Sequence, residues 1–295
     1  MSDLLESVPN FSVGRDQAVL DALAEAFGAA GVRVLDVHAD SDHNRSVFTV
    51  VADPDTLVEG LASAIAVAAS RIDLTRHEGV HPRVGSADVV PFVRFRPDDA
   101  RPELAARALS RRIAMLGVPA IGYGELGGGL RPAAFRSGGP ERLAERMAAG
   151  EVVALAGPDR PHPTAGVVLL GVRAPLVAFN VDLDSEDVGV AREIAAALRE
   201  RDGGLAGVQA LGLAARGGAQ VSTNLIDIDA TPLAAVVDEI ERLAAARGVG
   251  VKGSELVGLM PARVAAAAAG TALRLSGFGA DRLLEVASGG EFGEG

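Results

Sequence analysis

The alternation of apolar and polar positions in the first half of the chain predicts helices and strands in a regular order. After a short N-terminal strand, apolar residues recur at helical spacing between Arg15 and Ala30, and Gly31 supplies a stop. Two segments rich in β-branched residues, 32–37 and 46–51, predict strands. The link between these strands is too short for a parallel crossover, so we expect them to pair antiparallel.

A second helix is predicted after Asp53, because this residue has the side chain of an N-cap and Pro54 follows it. A strand at 89–95, a helix at 97–116 and a strand at 118–123 come next. This order, β-α-β-β-α-β with a further α-β, is that of a ferredoxin-like split unit rather than of a doubly wound sheet. It predicts a mixed sheet with helices packed on one face.

The second half of the chain repeats this rhythm beyond an open, proline-containing segment at 157–166, which is the best candidate for a boundary. The pattern there predicts strands at 176–183, 208–213 and 220–229 and helices at 186–201 and 232–247. We therefore predict an α/β chain of the α+β type with two ferredoxin-like subdomains, residues 1–166 and 167–295, with mixed or antiparallel sheets.

The composition of the chain mainly argues against certain classes of protein and of site. The 295 residues carry a formal net charge of −11, which argues against a broad nucleic-acid surface. No uncharged apolar run approaches the roughly 18 to 20 residues that span a bilayer, and the N-terminus carries acids where a signal peptide would be basic. Without cysteine there are no disulfides and no cysteine-ligated metals. We expect a cytoplasmic protein that binds neither nucleic acid nor membrane.

The densest group of chemically capable residues lies at 77–85, between a predicted helix and a predicted strand, where functional residues are often held. His77 and His81 are four residues apart. A zinc site would need both imidazoles on one helical face and a third ligand, and Gly79 and Pro82 oppose a continuous helix. We therefore predict no metal site.

Two interpretations of His81 remain open on the residues alone. It is either a structural loop histidine or a general base, since a neutral imidazole accepts a proton and the adjacent Arg83 can hold an anionic substrate. The chain has neither a P-loop ending nor a G-x-S-x-G turn, which argues against nucleotide binding and a serine nucleophile. A polar cluster nearby is either a solvated turn or part of a cleft wall, and its members are Asp36, His38, Asp40, Asp42 and His43.

Short motifs that are informative as an ordered set occur along nearly the whole chain, up to about residue 270. In the first half they are Val8-Pro9-Asn10-Phe11-Ser12, Asn44-Arg45 and His77-x-Gly79-x-His81-Pro82-Arg83-x-Gly85-x-x-Asp88. In the second half they are Ala178-Phe179-Asn180, Gln220-Val221-Ser222-Thr223-Asn224 and Gly253-Ser254. With these motifs the chain resembles the glutamate formimidoyltransferase family, the formiminotransferase part of the formiminotransferase-cyclodeaminases, without the cyclodeaminase part.

The resemblance implies transfer of a formimino group from N-formimino-L-glutamate to N5 of tetrahydrofolate, the co-substrate, in histidine degradation and one-carbon metabolism. It implies two formiminotransferase subdomains facing each other across a folate-binding cleft, commonly in a homodimer. The family's catalytic histidine, a general base, falls on His81, in the N-terminal subdomain. Arg83 and the pair Asn44-Arg45 are implied to bind substrate, and Arg45, Arg83 or Arg136 suits the carboxylates of donor and folate.

The same resemblance places a folate-binding segment between the two halves. Its residues are Gly157, Pro158, Asp159, Arg160, Pro161, His162, Pro163, Thr164, Ala165 and Gly166. A familiar form of the family has a tryptophan at the position of Ala165, where an aromatic ring could stack on the pterin. Two alternatives therefore stay open: folate-dependent formyl transfer from N-formylglutamate, and a paralogue that binds folate or another metabolite without turnover.

Overall fold

The computed structural model describes residues 4–79, 82–215, 218–268 and 282. The chain divides into two compact units, Met1–Arg173 and Ala174–Gly295. The sequence-based division after residue 166 differs from this by one strand, Val168–Arg173, whose hydrogen bonds place it in the sheet of the first unit. The predicted mixed α/β class with two sheets is confirmed.

The first unit is built on a seven-stranded mixed sheet. Its elements are β1 (Leu5–Ser7), β2 (Asn10–Phe11), α1 (Gln17–Ala29), β3 (Arg33–Asp40), β4 (Arg45–Ala52), α2 (Pro54–Arg71), β5 (Ala87–Val93), α3 (Arg101–Met115), β6 (Ala120–Gly124), α4 (Pro132–Arg136), α5 (Gly139–Ala148) and β7 (Val168–Arg173).

The strands β1 and β2 run one after the other between β4 and β5 and pair antiparallel with both. The strand β3 lies outside β4 and is antiparallel to it, as the short link between them predicted. On the other side, β5, β7 and β6 are parallel neighbours. The two parallel pairs, β5–β7 and β6–β7, are possible because the long connections after β5 and β6 provide the crossovers.

One face of this sheet packs against α1, α2 and α3 and holds the main core. Three phenylalanines lie at its centre, with the rings of Phe11 and Phe48 edge to face at a centroid distance of 5.5 Å and Phe27 beside them. The Asp53 carboxylate caps α2 by accepting from the amide of Thr56 at 3.1 Å, and Pro54 is the first helical residue, as predicted.

The expectation that helices pack on one face only is wrong for the first unit. Leu143 and Met147 of α5 are buried in a second core, on the opposite face of the parallel strands, against Val89, Ile121 and Leu169. Successive side chains of these strands point to opposite faces of the sheet and are apolar on both faces. This is expected where a parallel part of a sheet is buried on both sides.

The single tyrosine of the chain, Tyr123, lies on β6 in this second core and is 8% exposed. Its ring covers Gly171 of β7 so closely that an added Cβ there would lie 2.2 Å from the ring. Burial raises the pKa of Tyr123 to about 12, and the nearby cations Arg173 and Arg136 oppose that rise.

The second unit has the order β-α-β-β-α-β followed by a short helix. Its elements are β8 (Val177–Leu183), α6 (Val188–Leu198), β9 (Val208–Ala215), β10 (Gly218–Leu225), α7 (Leu233–Ala245), β11 (Val251–Val257) and α8 (Ala262–Ala267). The four strands form an antiparallel sheet in the order β11-β8-β10-β9. This unit has a core of its own, in which Phe179 and Val221 of the sheet pack with Ile194 of α6 and Ile240 of α7.

No helix within the described ranges is both long enough and apolar enough to cross a membrane.

Candidate active site

The loop between α2 and β5 carries the predicted catalytic motif. It leaves α2 through a short 3-10 turn, Leu74–Arg76, which Asp73 caps through the amide of Thr75. His81, the predicted base, lies outside the described residues, together with Val80. The site is therefore described from the residues on either side of this pair.

Asn44 ties this loop to the turn between β3 and β4. Its Oδ1 accepts from the amide of Gly14 at 2.9 Å, and its Nδ2 donates to the carbonyl of Glu78 at 2.9 Å. Its backbone has a positive φ of 47°, which asparagine tolerates better than most residues. Gly79 packs on the same turn, since an added Cβ would lie 2.4 Å from the carbonyl oxygen of His43. Asn44, predicted to bind substrate, thus has both ends of its amide engaged in the scaffold.

His77 supports the loop rather than projecting freely. Its Nε2 lies 3.1 Å from the carbonyl oxygen of Asn44. A carbonyl only accepts, so Nε2 carries the proton in this contact. Burial lowers the pKa of His77, and the nearby Arg83 guanidinium lowers it further, so the neutral imidazole is favoured.

Arg83 directs its guanidinium back onto the loop. Its Nη1 donates to the carbonyl of Gly79 at 3.0 Å and its Nη2 to the carbonyl of His77 at 2.8 Å. These two bonds close the loop across the segment that contains the predicted base. The predicted anion partner is therefore engaged with the backbone of its own loop.

Asp88, at the start of β5, organises the other end of the motif. It is 2% exposed, and its Oδ1 accepts from the amides of Val84 at 2.7 Å and Gly85 at 3.2 Å. Its other oxygen, Oδ2, forms an ion pair with Arg136 at the end of α4. The sequence shows Asp88 only as one letter of the motif, because its partner lies 48 residues further along the chain.

Arg45, the first residue of β4, lies near this ion pair. Its Nη2 donates to Oδ1 of Asn10 on β2. Burial lowers the pKa of Arg45 to about 10, and repulsion from Arg136 lowers it too, while attraction to Asp88 and Asp40 opposes the shift. Arg45 thus lies near the Asp88–Arg136 ion pair, on the strands next to the loop.

The predicted folate segment ends against the same loop. The amide of Leu74 donates to Thr164 at 2.9 Å, and the amide of Ser86 donates to Ala165 at 2.9 Å. Gly166 faces Gly85 in an antiparallel bridge, and an added Cβ on Gly166 would lie 2.1 Å from the carbonyl of Val84. Two segments that are far apart in the sequence therefore meet in the first unit.

His162 shapes the end of this segment. Its Nδ1 accepts from the amides of Ala165 at 3.1 Å and Thr164 at 3.3 Å, so its proton, when the ring is neutral, is on Nε2. The Ala165 side chain is 1% exposed and belongs to the main core. A stacking position at Ala165 is therefore not available to a ligand.

The other members of the segment differ in exposure. Thr164 is partly exposed, like Pro158, Pro161 and His162, and Gly166 is buried. The exposed members are Gly157, Asp159, Arg160 and Pro163. Contacts between this segment and a ligand would come from these exposed and partly exposed residues.

The polar cluster at the end of β3 centres on Asp40 and His43. His43 is buried rather than solvated, and its Nδ1 bonds to Oδ2 of Asp40, whose Oδ1 accepts from the amides of Asp42 and His43. Burial raises the pKa of Asp40, but the hydrogen bonds from His43 outweigh it, and the pKa lies well below its usual value. Across the parts of the chain that the structure describes, no group of three or more acidic, histidine or cysteine side chains is placed to hold a metal ion.

Comparison with known families covers nearly the whole chain. The model of the formiminotransferase domain, N-terminal subdomain, matches residues 4–173, and the formiminotransferase domain model matches residues 178–274. Glutamate formimidoyltransferase of Streptococcus pyogenes serotype M1 is 38% identical over 273 residues, which are 89% of this chain and 91% of that protein. Glutamate formimidoyltransferase of Thermoplasma acidophilum is 37% identical over 297 residues, 96% of each chain.

A bifunctional relative is also similar. Formimidoyltransferase-cyclodeaminase of Rattus norvegicus is 40% identical over 279 residues, which are 88% of this chain and 51% of that protein. The chain thus spans about half the length of the bifunctional relatives and most of the length of the shorter ones. From these matches, and from the motifs that the site brings together, the chain belongs to the formiminotransferase family.

Proposed function

We propose that the protein transfers the formimino group of N-formimino-L-glutamate to N5 of tetrahydrofolate and releases glutamate. One observation carries this proposal: 89% of the chain matches 91% of a relative that is named glutamate formimidoyltransferase. The geometry supports it, because the loop around the predicted base and the predicted folate segment are joined by backbone hydrogen bonds in the first unit.

The chemistry needs one group that accepts and then returns a proton. N5 of the pterin attacks the formimino carbon and gives up its proton to a neutral imidazole, for which we propose His81. The tetrahedral intermediate then breaks its bond to the glutamate nitrogen, which takes the proton back from the imidazolium as glutamate leaves. Arg83 and His77 support this role by fixing the backbone on either side of His81.

The acceptor, tetrahydrofolate, is proposed to bind along residues 157–166, at their exposed and partly exposed positions. Ala165 is buried in the core and does not face a ligand. The lack of an aromatic side chain at this position therefore does not argue against folate binding along the segment. A cleft between the two units, a homodimer and a cytoplasmic location stay predictions. Sedimentation of the purified chain would test the homodimer.

The His81→Ala variant tests the proposed base. We expect transfer to fall by at least about 100-fold, the usual scale of a general base, with tetrahydrofolate affinity kept within about three-fold. Added imidazole should restore part of the activity of this variant, which a merely structural histidine would not allow. Unchanged turnover in His81→Ala would show that the base is another group.

The donor is tested by release of glutamate from N-formimino-L-glutamate and from N-formyl-L-glutamate in the presence of tetrahydrofolate. Release from the formimino compound alone supports the proposed reaction. Faster release from the formyl compound would reassign the donor. Release from neither, with measurable folate binding, would make the protein a binding paralogue.

A further inference from the structure

Three guanidinium groups surround the motif and differ in what their N–H groups contact. Arg83 donates through both Nη atoms to backbone carbonyls of its own loop. Arg136 uses Nη2 for the ion pair with Asp88. Arg45 uses Nη2 for the amide oxygen of Asn10, which carries no charge. Of Arg45 and Arg136, which both bond to a side chain, Arg45 is the one whose partner is neutral.

Two of these arginines also hold buried donors that lack an acceptor. Among the described residues, no hydrogen-bond acceptor reaches the buried Nε of Arg45 or the buried Nε of Arg136. A buried donor without a partner costs about 1–3 kcal/mol, and more when the group is charged. The Arg83 guanidinium has no such orphaned nitrogen.

The two carboxylates that attract Arg45 are both engaged by other groups. Asp88 attracts Arg45 but is already paired with Arg136, and its second oxygen accepts two backbone amides. Asp40 attracts Arg45 too, but its carboxylate is engaged by His43 and by backbone amides. Arg45 and Arg136 repel each other. An added anion would relieve this repulsion and satisfy the orphaned donors.

We propose that Arg45 and Arg136, positioned by Asn10 and Asp88, form a subsite for a carboxylate of the glutamyl donor. The inference rests on the proposed function, which supplies a donor with two carboxylates. Arg83 has a different role in this proposal. Its guanidinium stabilises the loop, because both Nη atoms donate to backbone carbonyl oxygens. The carboxylate of a folate glutamate tail has the same chemistry, and the test must separate the two sources.

The first arm measures binding without turnover. Calorimetric titration with L-glutamate, the released product, should show binding to the wild-type chain and a loss of about 10- to 100-fold in Arg45→Gln, the scale of a charge-assisted bond. Arg45→Lys keeps the charge but not the fork and should fall between them. Arg112→Gln is the matched control, because this arginine is 51% exposed and pairs with Glu59 on α2.

The second arm separates donor from folate. Affinity for tetrahydrofolate is compared with affinity for tetrahydropteroate, which lacks the glutamate tail, in the wild-type chain and in Arg45→Gln. We expect their ratio to be the same in both proteins. A ratio that collapses in Arg45→Gln while glutamate affinity is kept would move the subsite to the folate tail and overturn the proposal.

The outcomes also separate this inference from the proposed reaction. If the wild-type chain binds glutamate through Arg45 but transfers no formimino group, the reaction is wrong and the subsite stands. If the wild-type chain does not bind glutamate, or Arg45→Gln binds it as well as wild type and unfolds at the same temperature, the subsite is wrong. If Arg45→Gln does not fold, the Arg45→Lys result decides.

Discussion

Asn44 shows how one side chain fixes the relative position of three segments. Its amide oxygen holds Gly14, its amide nitrogen holds Glu78, and its carbonyl faces His77. In this arrangement the backbone of Asn44 adopts a left-handed conformation, which is unfavourable for most residues other than glycine. Asn44 therefore positions the loop that carries the predicted base from outside that loop, through the turn that precedes β4.

Replacing Asn44 separates the side-chain bonds from the backbone conformation. Asn44→Gly and Asn44→Ala lose the same two hydrogen bonds, but only alanine resists the φ of 47°. We expect Asn44→Ala to unfold in urea with about 1 kcal/mol less stability than Asn44→Gly, the cost of the left-handed region for a residue with a Cβ. Equal stability of the two variants would show that the turn relaxes away from this conformation.

At the scale of single residues, the sequence indicates the motif but not the roles within it. The spacing of His77, Gly79 and Arg83 identifies the loop, yet only the fold shows that Arg83 turns back onto that loop. The pairing of Asp88 with Arg136 depends on where α4 ends relative to β5, which no local pattern encodes. The predicted base, His81, lies outside the described residues, and its role stays a prediction.

At the scale of elements, α5 is the helix of the first unit whose packing on the second face of the sheet the sequence did not predict. This helix covers the face of β5, β7 and β6 that lies away from α1, α2 and α3. Its buried side follows the helical spacing of Leu143 and Met147, and the remaining positions are mostly charged or exposed. It completes the burial that a parallel sheet segment requires.

Leu143→Ala tests whether α5 is an integral part of this core. The side chain is fully buried, so we expect a loss of about 2–5 kcal/mol in the free energy of unfolding. Leu104→Ala on α3 is the matched control, since that leucine is 65% exposed and should change stability by less than about 0.5 kcal/mol. Similar small effects for both substitutions would mean that α5 packs only loosely.

Most elements could be predicted from periodicity and caps, and the exceptions have local causes. Capped α2 and the β-branched strand β4 have strong signals of their own. The strand β7 was missed because its sequence, Val-Leu-Leu-Gly-Val-Arg, follows an open, proline-containing segment and shows no alternation of apolar and polar residues. The strand β2 has only two residues, too few for any period. The predicted helix at 97–116 begins only at Arg101, where Asp99 accepts from the Arg101 amide.

At the scale of the whole chain, each unit holds a core and a sheet of its own. The motif that contains the predicted base and the predicted folate segment both belong to the first unit. The motifs of the second half resemble those of the family as well, but the apolar periodicity of that half indicates no ligand-binding residue. In the second unit the sequence pattern predicted three of the four strands and the two longer helices but not β11, and it left open whether the sheet is mixed or antiparallel.

Fragments 1–173 and 174–295 test this division. Because each contains a complete sheet and a buried core, we expect both to unfold cooperatively when heated, with native-like far-ultraviolet circular dichroism. The intact chain is the reference for both fragments. A fragment without a cooperative transition would show that its fold depends on the other half.

The single tyrosine gives this chain a built-in optical label. Since the chain contains no tryptophan, the emission excited near 280 nm arises from one ring, Tyr123, packed over Gly171 in the first unit. Tyrosine fluorescence therefore reports on the first unit alone, whereas circular dichroism reports on both units. The difference between the two signals from an intact, unmodified chain separates the melting of the first unit, which contains Tyr123, from that of the second.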